Sequence, residues 1–198
     1  MIGALSIMDE KRNDEISGKT HLLAEGDIKK TLLNLSLPAI IAMLISAIYN
    51  LTDTAFIGML HDTAAMGAVS IAFPIFLVIA ALGQGLGVGS ASYISRRLGA
   101  KDNETANKTA STAVGTAIII GILCAVLGLI FLENILRFIG TSETIMPYAI
   151  DYSEPLIICA IFNIVNMTLN NIIRAEGSSK YSMFAITIGA VINIVLDP

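Results

Sequence analysis

The sequence predicts an all-α fold, a polytopic transmembrane helix bundle, and three observations carry that expectation. Hydrophobic residues make up 55% of the 198-residue chain, and mean hydropathy is +0.75. Charged residues are only 14%, against about 25% in an ordinary soluble domain. The charges are also segregated: residues 9–30 hold eleven of them, whereas five long stretches hold none.

Those charge-free stretches set the expected spans at 31–52, 63–95, 109–132, 155–173 and 181–196. A helix needs roughly 20 apolar residues to cross about 30 Å of hydrocarbon. Four runs reach or approach that length, and the second, with 33 residues, is expected to project past the interface. Runs such as Ala113–Leu132 are apolar all round and so lack the polar outer face that helices of a soluble core present to water. Pro38, Pro74 and Pro155 fall in or beside spans one, two and four and are expected to bend them. The fifth run stops at Pro198 without a polar flank, so the chain reads as a piece of a longer protein. Residues 1–30 form the expected cytoplasmic N-terminal segment and 31–198 the membrane part.

Orientation follows from Lys and Arg in the short connections. The N-terminal segment carries Lys11, Arg12, Lys19, Lys29 and Lys30; the connection around His61-Asp62 carries neither residue type. Arg96, Arg97, Lys101 and Lys108 follow span two. A largely acidic connection comes next (Glu133, Arg137, Glu143, Asp151, Glu154), then Arg174 and Lys180. The alternation places the N-terminus in the cytoplasm.

Several classes are excluded. A net charge of −4 without a basic cluster gives no footprint for nucleic acid. Cys124 and Cys159 each sit in an apolar run, which suggests neither a disulfide framework nor a Cys-rich metal site. The polar first thirty residues do not resemble a cleavable signal peptide. Gly83-Gln84-Gly85-Leu86-Gly87-Val88-Gly89 misses the dinucleotide-loop spacing and follows no strand. The pair Gly85 and Gly89 is instead expected to let two helices pack closely. His21 and His61 have no partner carboxylate at ligand spacing.

Polar residues inside the spans are the candidate functional groups. An acid at mid-membrane costs on the order of 2.5–3.5 kcal/mol even on a lenient scale, so it faces protein or a water cavity. Asp53 lies roughly 34 Å along its helix from Lys30, and Asp197 roughly 26 Å from Lys180, at about 1.5 Å per residue. Both helices are expected to travel outward, which puts the two carboxylates at comparable depth. Tyr49 precedes Asp53 by four residues and Asn193 precedes Asp197 by four, so each pair shares a helix face. Carboxylate, amide and phenol oxygens together suit a hard cation such as Na⁺; the carboxylates alone can carry protons instead. The plainer alternative leaves Asp53 at the interface, against which Phe56, Ile57, Met59 and Leu60 continue the apolar run. In span four, Asn163, Asn166 and Asn170 follow a three-four spacing and line one face. Interhelical hydrogen bonding accounts for most such residues. Asn170, near Arg174, is the candidate site residue.

These residues resemble a known family. Leu37-Pro38-Ala39-Ile40, followed by Tyr49-Asn50-Leu51-Thr52-Asp53-Thr54-Ala55-Phe56-Ile57-Gly58, is similar to the first helix of the multidrug and toxic compound extrusion (MATE) transporters. Gly85–Gly89 leading to Arg96-Arg97-Leu98-Gly99-Ala100, Ile172-Ile173-Arg174-Ala175-Glu176-Gly177, and Asn193-Ile194-Val195-Leu196-Asp197-Pro198 resemble the ends of its second, fourth and fifth helices. The resemblance covers residues 25–198. It implies twelve helices in two six-helix lobes, of which this chain would be most of the N-lobe, lacking the end of helix five, helix six and the second lobe. It also implies export of cationic and amphipathic compounds across the plasma membrane, in exchange for H⁺ or Na⁺ and with no other cofactor. The implied coupling residues are Asp53, Asn193 and Asp197, with Tyr49 and Asn170 contributing as in some members. Two rival readings are a lipid-linked oligosaccharide flippase of related architecture and an intramembrane aspartyl protease built on Asp53 and Asp197. The first would call for more basic residues along the lobe. The second lacks its Gly-x-Gly-Asp element, because Asn193-Ile-Val-Leu precedes Asp197.

Overall fold

The computed structural model describes residues 28–59 and 63–196, all of whose regular structure is helical. The helices are α1 (Ile28–Met59), α2 (Thr63–Gly99), α3 (Asn103–Ile139), α4 (Met146–Ile158), α5 (Ala160–Ala175) and α6 (Ser179–Leu196). The N-terminal segment 1–27 with His21, the connection holding His61, and Asp197 with Pro198 lie outside the described residues. Asp53 belongs to α1, but its side chain is likewise outside what is described.

Each helix runs beyond its charge-free stretch. α2 and α3 are both 37 residues long, because ends that leave the hydrocarbon accept charge without ending the helix. Asp102 opens α3 as its N-cap, its carboxylate accepting from the Thr105 N–H at 3.1 Å. Gly140 closes α3 at φ +100°, a left-handed conformation that costs glycine nothing. Lys101, at φ 61°, makes the same kind of reversal between α2 and α3 with a side chain present.

One expectation is corrected here. The fourth span is not confined to 155–173; it begins at Met146 and takes Asp151 and Glu154 into the helix. It is also broken into α4 and α5, which meet at 48°. Of the three prolines expected to bend their spans, Pro155 stands beside a break. α1 and α2 continue as single helices through Pro38 and Pro74, and the break falls at Cys159, whose N–H donates to the Pro155 carbonyl. Pro155 has no N–H to return to residue 151, so the turn ahead of the break is weakened.

Lipid is as apolar as leucine, so these helices associate through close packing rather than hydrophobic exclusion. Three stacked clusters show how. Ala68, Leu136, Ala149 and Ile157 pack at one end of the bundle. Ile79, Ala117, Ala160 and Ile164 pack in the middle, and Ile94, Ala106, Ala113 and Ile172 at the other end. The α2–α3 turn with Arg96, Arg97, Lys101 and Lys108 therefore shares its end with the α5–α6 turn carrying Arg174 and Lys180. Arg137, paired with Glu133 at 3.0 Å and Glu143 at 2.6 Å, lies at the opposite end. α1 and α6 form a second layer: α1 packs chiefly along α6, touches α2 briefly, and α6 leans on α5.

The glycine expectation is wrong in register. No atom lies within 4 Å of where a Cβ would stand on Gly85 or Gly89, which border an open groove between α2 and α3. The close approach uses Gly83 and Gly87 instead: a Cβ on Gly83 would stand 3.1 Å from the Ile164 Cα, and one on Gly87 2.6 Å from the Asn171 Nδ2.

Candidate functional site

Between the two layers lies a cleft of about 590 Å³. Ser46 and Tyr49 reach it from α1, Gln84 from α2, Asn163, Asn166, Asn170, Asn171 and Arg174 from α5, and Asn193 from α6. The polar stripe on α5 is what makes the cleft hydrophilic, since the remaining lining is Ala, Met, Ile, Phe and Gly.

The polar side chains divide into two levels. At the basic end, every amide is engaged. The Ser182 hydroxyl donates to Asn170 Oδ1 at 2.8 Å, and Asn170 Nδ2 donates to Asn166 Oδ1 at 2.9 Å. Asn171 Nδ2 donates to Gln84 Oε1 and to the Met167 carbonyl, both at 2.8 Å, while Arg174 donates to Asn171 Oδ1 at 2.8 Å. Asn170 thus ties α5 to α6 and Asn171 ties α5 to α2, with Arg174 held at the mouth of the cleft.

Further along the cleft two amide oxygens are unsatisfied. Among the described residues, three buried side-chain atoms lack a hydrogen-bond partner: Ser153 Oγ, Asn163 Oδ1 and Asn193 Oδ1. Two of the three belong to this cleft. Taking Asn170–Ser182 as the point where antiparallel α5 and α6 meet, Asn163 lies about 10 Å and Asn193 about 16 Å further from the basic end, at about 1.5 Å per residue. Tyr49, Asn163 and Asn193 are therefore brought to one cleft, and Asn170 sits deeper toward the basic end. The expected pairing of Asp53 with Asp197 falls outside the described side chains; the helix faces that lead to them, through Tyr49 and Asn193, line the same wall.

Amide and phenol oxygens on three helices in a low-dielectric setting fit a hard cation or a proton-bearing network. Among the described residues no group of three His, Cys, Asp or Glu side chains gathers, and the oxygens they offer to a cation in the cleft are those of amide, phenol and hydroxyl groups. Neither free cysteine, Cys124 or Cys159, lines the cleft. The sequence alone does not distinguish Asn163 from ordinary interhelical amides. Its three-four spacing from Asn166 and Asn170 marked the face, but not which amide would be left without a partner.

The MatE family model matches residues 38–198. The chain belongs to the MatE family. It is 34% identical over 174 residues to the multidrug export protein MepA of Staphylococcus haemolyticus, an alignment covering 88% of this chain and 38% of the relative. Among solved structures, a MOP superfamily transporter from Pyrococcus furiosus matches with TM-score 0.85 and 36% identity over 90% of this chain and 39% of that one. A crystal structure of MATE in complex with MaD3S matches with TM-score 0.86 and 36% identity, covering 90% of this chain and 40% of that one. The chain thus spans about 38% of the curated MatE relative's length. These matches establish the all-α membrane bundle and its membership of the MatE family, and the coverage of 39% of a solved transporter is consistent with an N-lobe.

Proposed function

We propose that the chain supplies the N-terminal lobe of a secondary antiporter that exports cationic or amphipathic compounds in exchange for H⁺ or Na⁺. The observation that carries this reading is the polar cleft itself. In a bundle whose outward faces are leucine, isoleucine and phenylalanine, α1, α5 and α6 turn phenol and amide groups toward one another. Such groups are expensive inside a membrane unless they serve a pathway.

Ion capture at Asp53, Asn193 and Asp197, with Tyr49 beside them, would neutralise the carboxylates and lower affinity for a cationic substrate. Release to the other side would follow as this lobe rocks against the second one. Such coupling requires that the ion bind the two states unequally. The basic turns at one end of the bundle support an N-terminus in the cytoplasm, and residence in the plasma membrane goes with the exporter reading. Family membership and drug-export relatives favour transport over the protease reading. Against the flippase, Arg174 is the one cationic side chain among the described residues that lines the cleft, fewer than a phosphate path would require.

The test uses the full-length protein. Asp53→Asn and Asp197→Asn are each expected to abolish efflux of a dye cation driven by a pH or Na⁺ gradient, with expression intact. Unchanged efflux in either variant would refute the coupling role. Peptide cleavage dependent on both acids would establish the protease instead.

A further inference from the structure

We infer that the groove between α2 and α3 is a phospholipid site, which takes an anionic headgroup at Lys108 and an acyl chain along the floor at Gly85 and Gly89. The inference stands apart from the ion-coupling reading, because this groove and the polar cleft share no lining residue.

The groove has a volume of about 530 Å³. Its walls run antiparallel, with Tyr93 and Lys108 toward the basic turn and Gly85 and Thr116 further along. Eight positions separate 85 from 93, and eight separate 108 from 116. The groove therefore extends about 12 Å at about 1.5 Å per residue, from the charged end of the bundle into its apolar length. Open space lies where a Cβ on Gly85 or Gly89 would stand, whereas Gly83 and Gly87 are the positions that meet α5.

The deeper walls make no demand for hydrogen bonds. Ser90 donates to the Leu86 carbonyl at 2.8 Å and Thr109 to the Thr105 carbonyl at 2.7 Å. Thr112 and Thr116 donate in the same way to the Lys108 and Thr112 carbonyls, each at 2.8 Å. Hydroxyls bonded back to their own helix leave no donor in search of a partner, so a hydrocarbon chain can lie against them without stranding a polar group.

The mouth differs in charge. Arg97 is already engaged, donating to the Tyr93 hydroxyl at 2.6 Å and pairing with Asp102 at 3.5 Å. Among the described residues Lys108 has no ion-pair partner, and Glu104, one turn before it, is not within pairing distance. Residues 96–108 set four cations (Arg96, Arg97, Lys101 and Lys108) against Asp102 and Glu104. An unpaired cation at the mouth and a self-satisfied wall behind it complement an amphiphile with a negative head. Basic pockets between membrane helices take lipid headgroups in this way.

The experiment uses full-length protein, purified and stripped of lipid in detergent. Thermal unfolding is followed against dioleoyl phosphatidylglycerol and, separately, dioleoyl phosphatidylcholine, which share their chains and differ in net charge. Phosphatidylglycerol should stabilise wild type in a saturable manner, at a half-saturating concentration about five-fold below that of phosphatidylcholine, the worth of one cation near an anionic headgroup. Lys108→Gln should remove that preference. Lys180→Gln, at the same end but outside the groove, should keep it. Gly85→Leu, whose side chain enters open space, should weaken the response to both lipids; if it does not fold, Lys108→Gln decides the matter. The proposal is overturned if wild type responds alike to the two lipids, if Lys108→Gln keeps the preference, or if Lys180→Gln loses it equally. Inorganic phosphate that stabilises as phosphatidylglycerol does would make the ligand a free anion and overturn it too. So would a Gly85→Leu variant that unfolds at lower temperature without lipid yet saturates as wild type does, since another part of the protein then fills the groove.

Discussion

Gly87 and Asn171 occupy each other's space: a Cβ on the glycine would stand 2.6 Å from the asparagine Nδ2 and 3.1 Å from its Cγ. The absent methyl is what lets Asn171 lie flat against α2, donate to Gln84 and receive Arg174. Gly87→Ala is therefore expected to lower stability in detergent by about 1–3 kcal/mol, the usual range for forced overpacking. Gly85→Ala, in open space two residues away, should be neutral. Thermal unfolding of the two variants side by side checks this.

Gly121 makes a harder contact, since its missing Cβ would stand 2.6 Å from the Ile161 Cα. Backbone cannot rotate aside as an amide can. Gly121→Ala should separate α3 from α5 and destabilise by at least as much as Gly87→Ala, whereas Gly115→Ala, with nothing within 4 Å, should leave the unfolding temperature unchanged.

The Gln84–Asn171–Arg174 chain is expected to show mutual dependence. A double-mutant cycle of Gln84→Leu and Asn171→Leu should give a coupling energy of about 0.6–2 kcal/mol, the range for interhelical hydrogen bonds in membranes. Strict additivity would mean that the 2.8 Å contact adds nothing to folding.

Asp102 gives a pH signature outside the membrane. Hydrogen bonds from the Thr105 side chain and backbone hold its carboxyl below the usual carboxylate value, and Arg97 adds to this. Its ionised form is thus favoured by folding. The benefit is complete above the unfolded carboxylate pKa, about 3.9, and fades as pH falls through the lower folded value. Asp102→Ala should lower the unfolding temperature at neutral pH, and the gap from wild type should close below about pH 4. A gap that persists at lower pH would count against the cap.

Much of the fold was legible because hydrocarbon sorts residues coarsely: a stretch without charge is a stretch in lipid. The same criterion misplaced the ends. Asp151 and Glu154 are accommodated within α4, and α3 takes up Glu104, Lys108, Glu133 and Arg137, since helices outlast the bilayer. Alternating glycines at 83, 85, 87 and 89 define two faces, and only the position of α5 reveals that 83 and 87 form the contact. The site was legible to the level of the face. Tyr49 and Asn193 line one cleft, which their spacing to Asp53 and Asp197 on separate helices did not specify, and the competition for partners that leaves Asn163 unmatched and binds Asn170 to Ser182 depends on how three helices meet.

The joint between the two layers has a mechanical consequence. Because α1 shares its length with α6 and only brushes α2, a tilt of α1 carries α6 with it. In the proposed antiporter the backbones bearing Asp53 and Asn193 would then travel as a single leaf of fixed internal spacing, while its gap to the amides of α5 would open and close. Spin labels spanning α1 and α6 should report one distance throughout the cycle, and labels spanning α1 and α5 should report two.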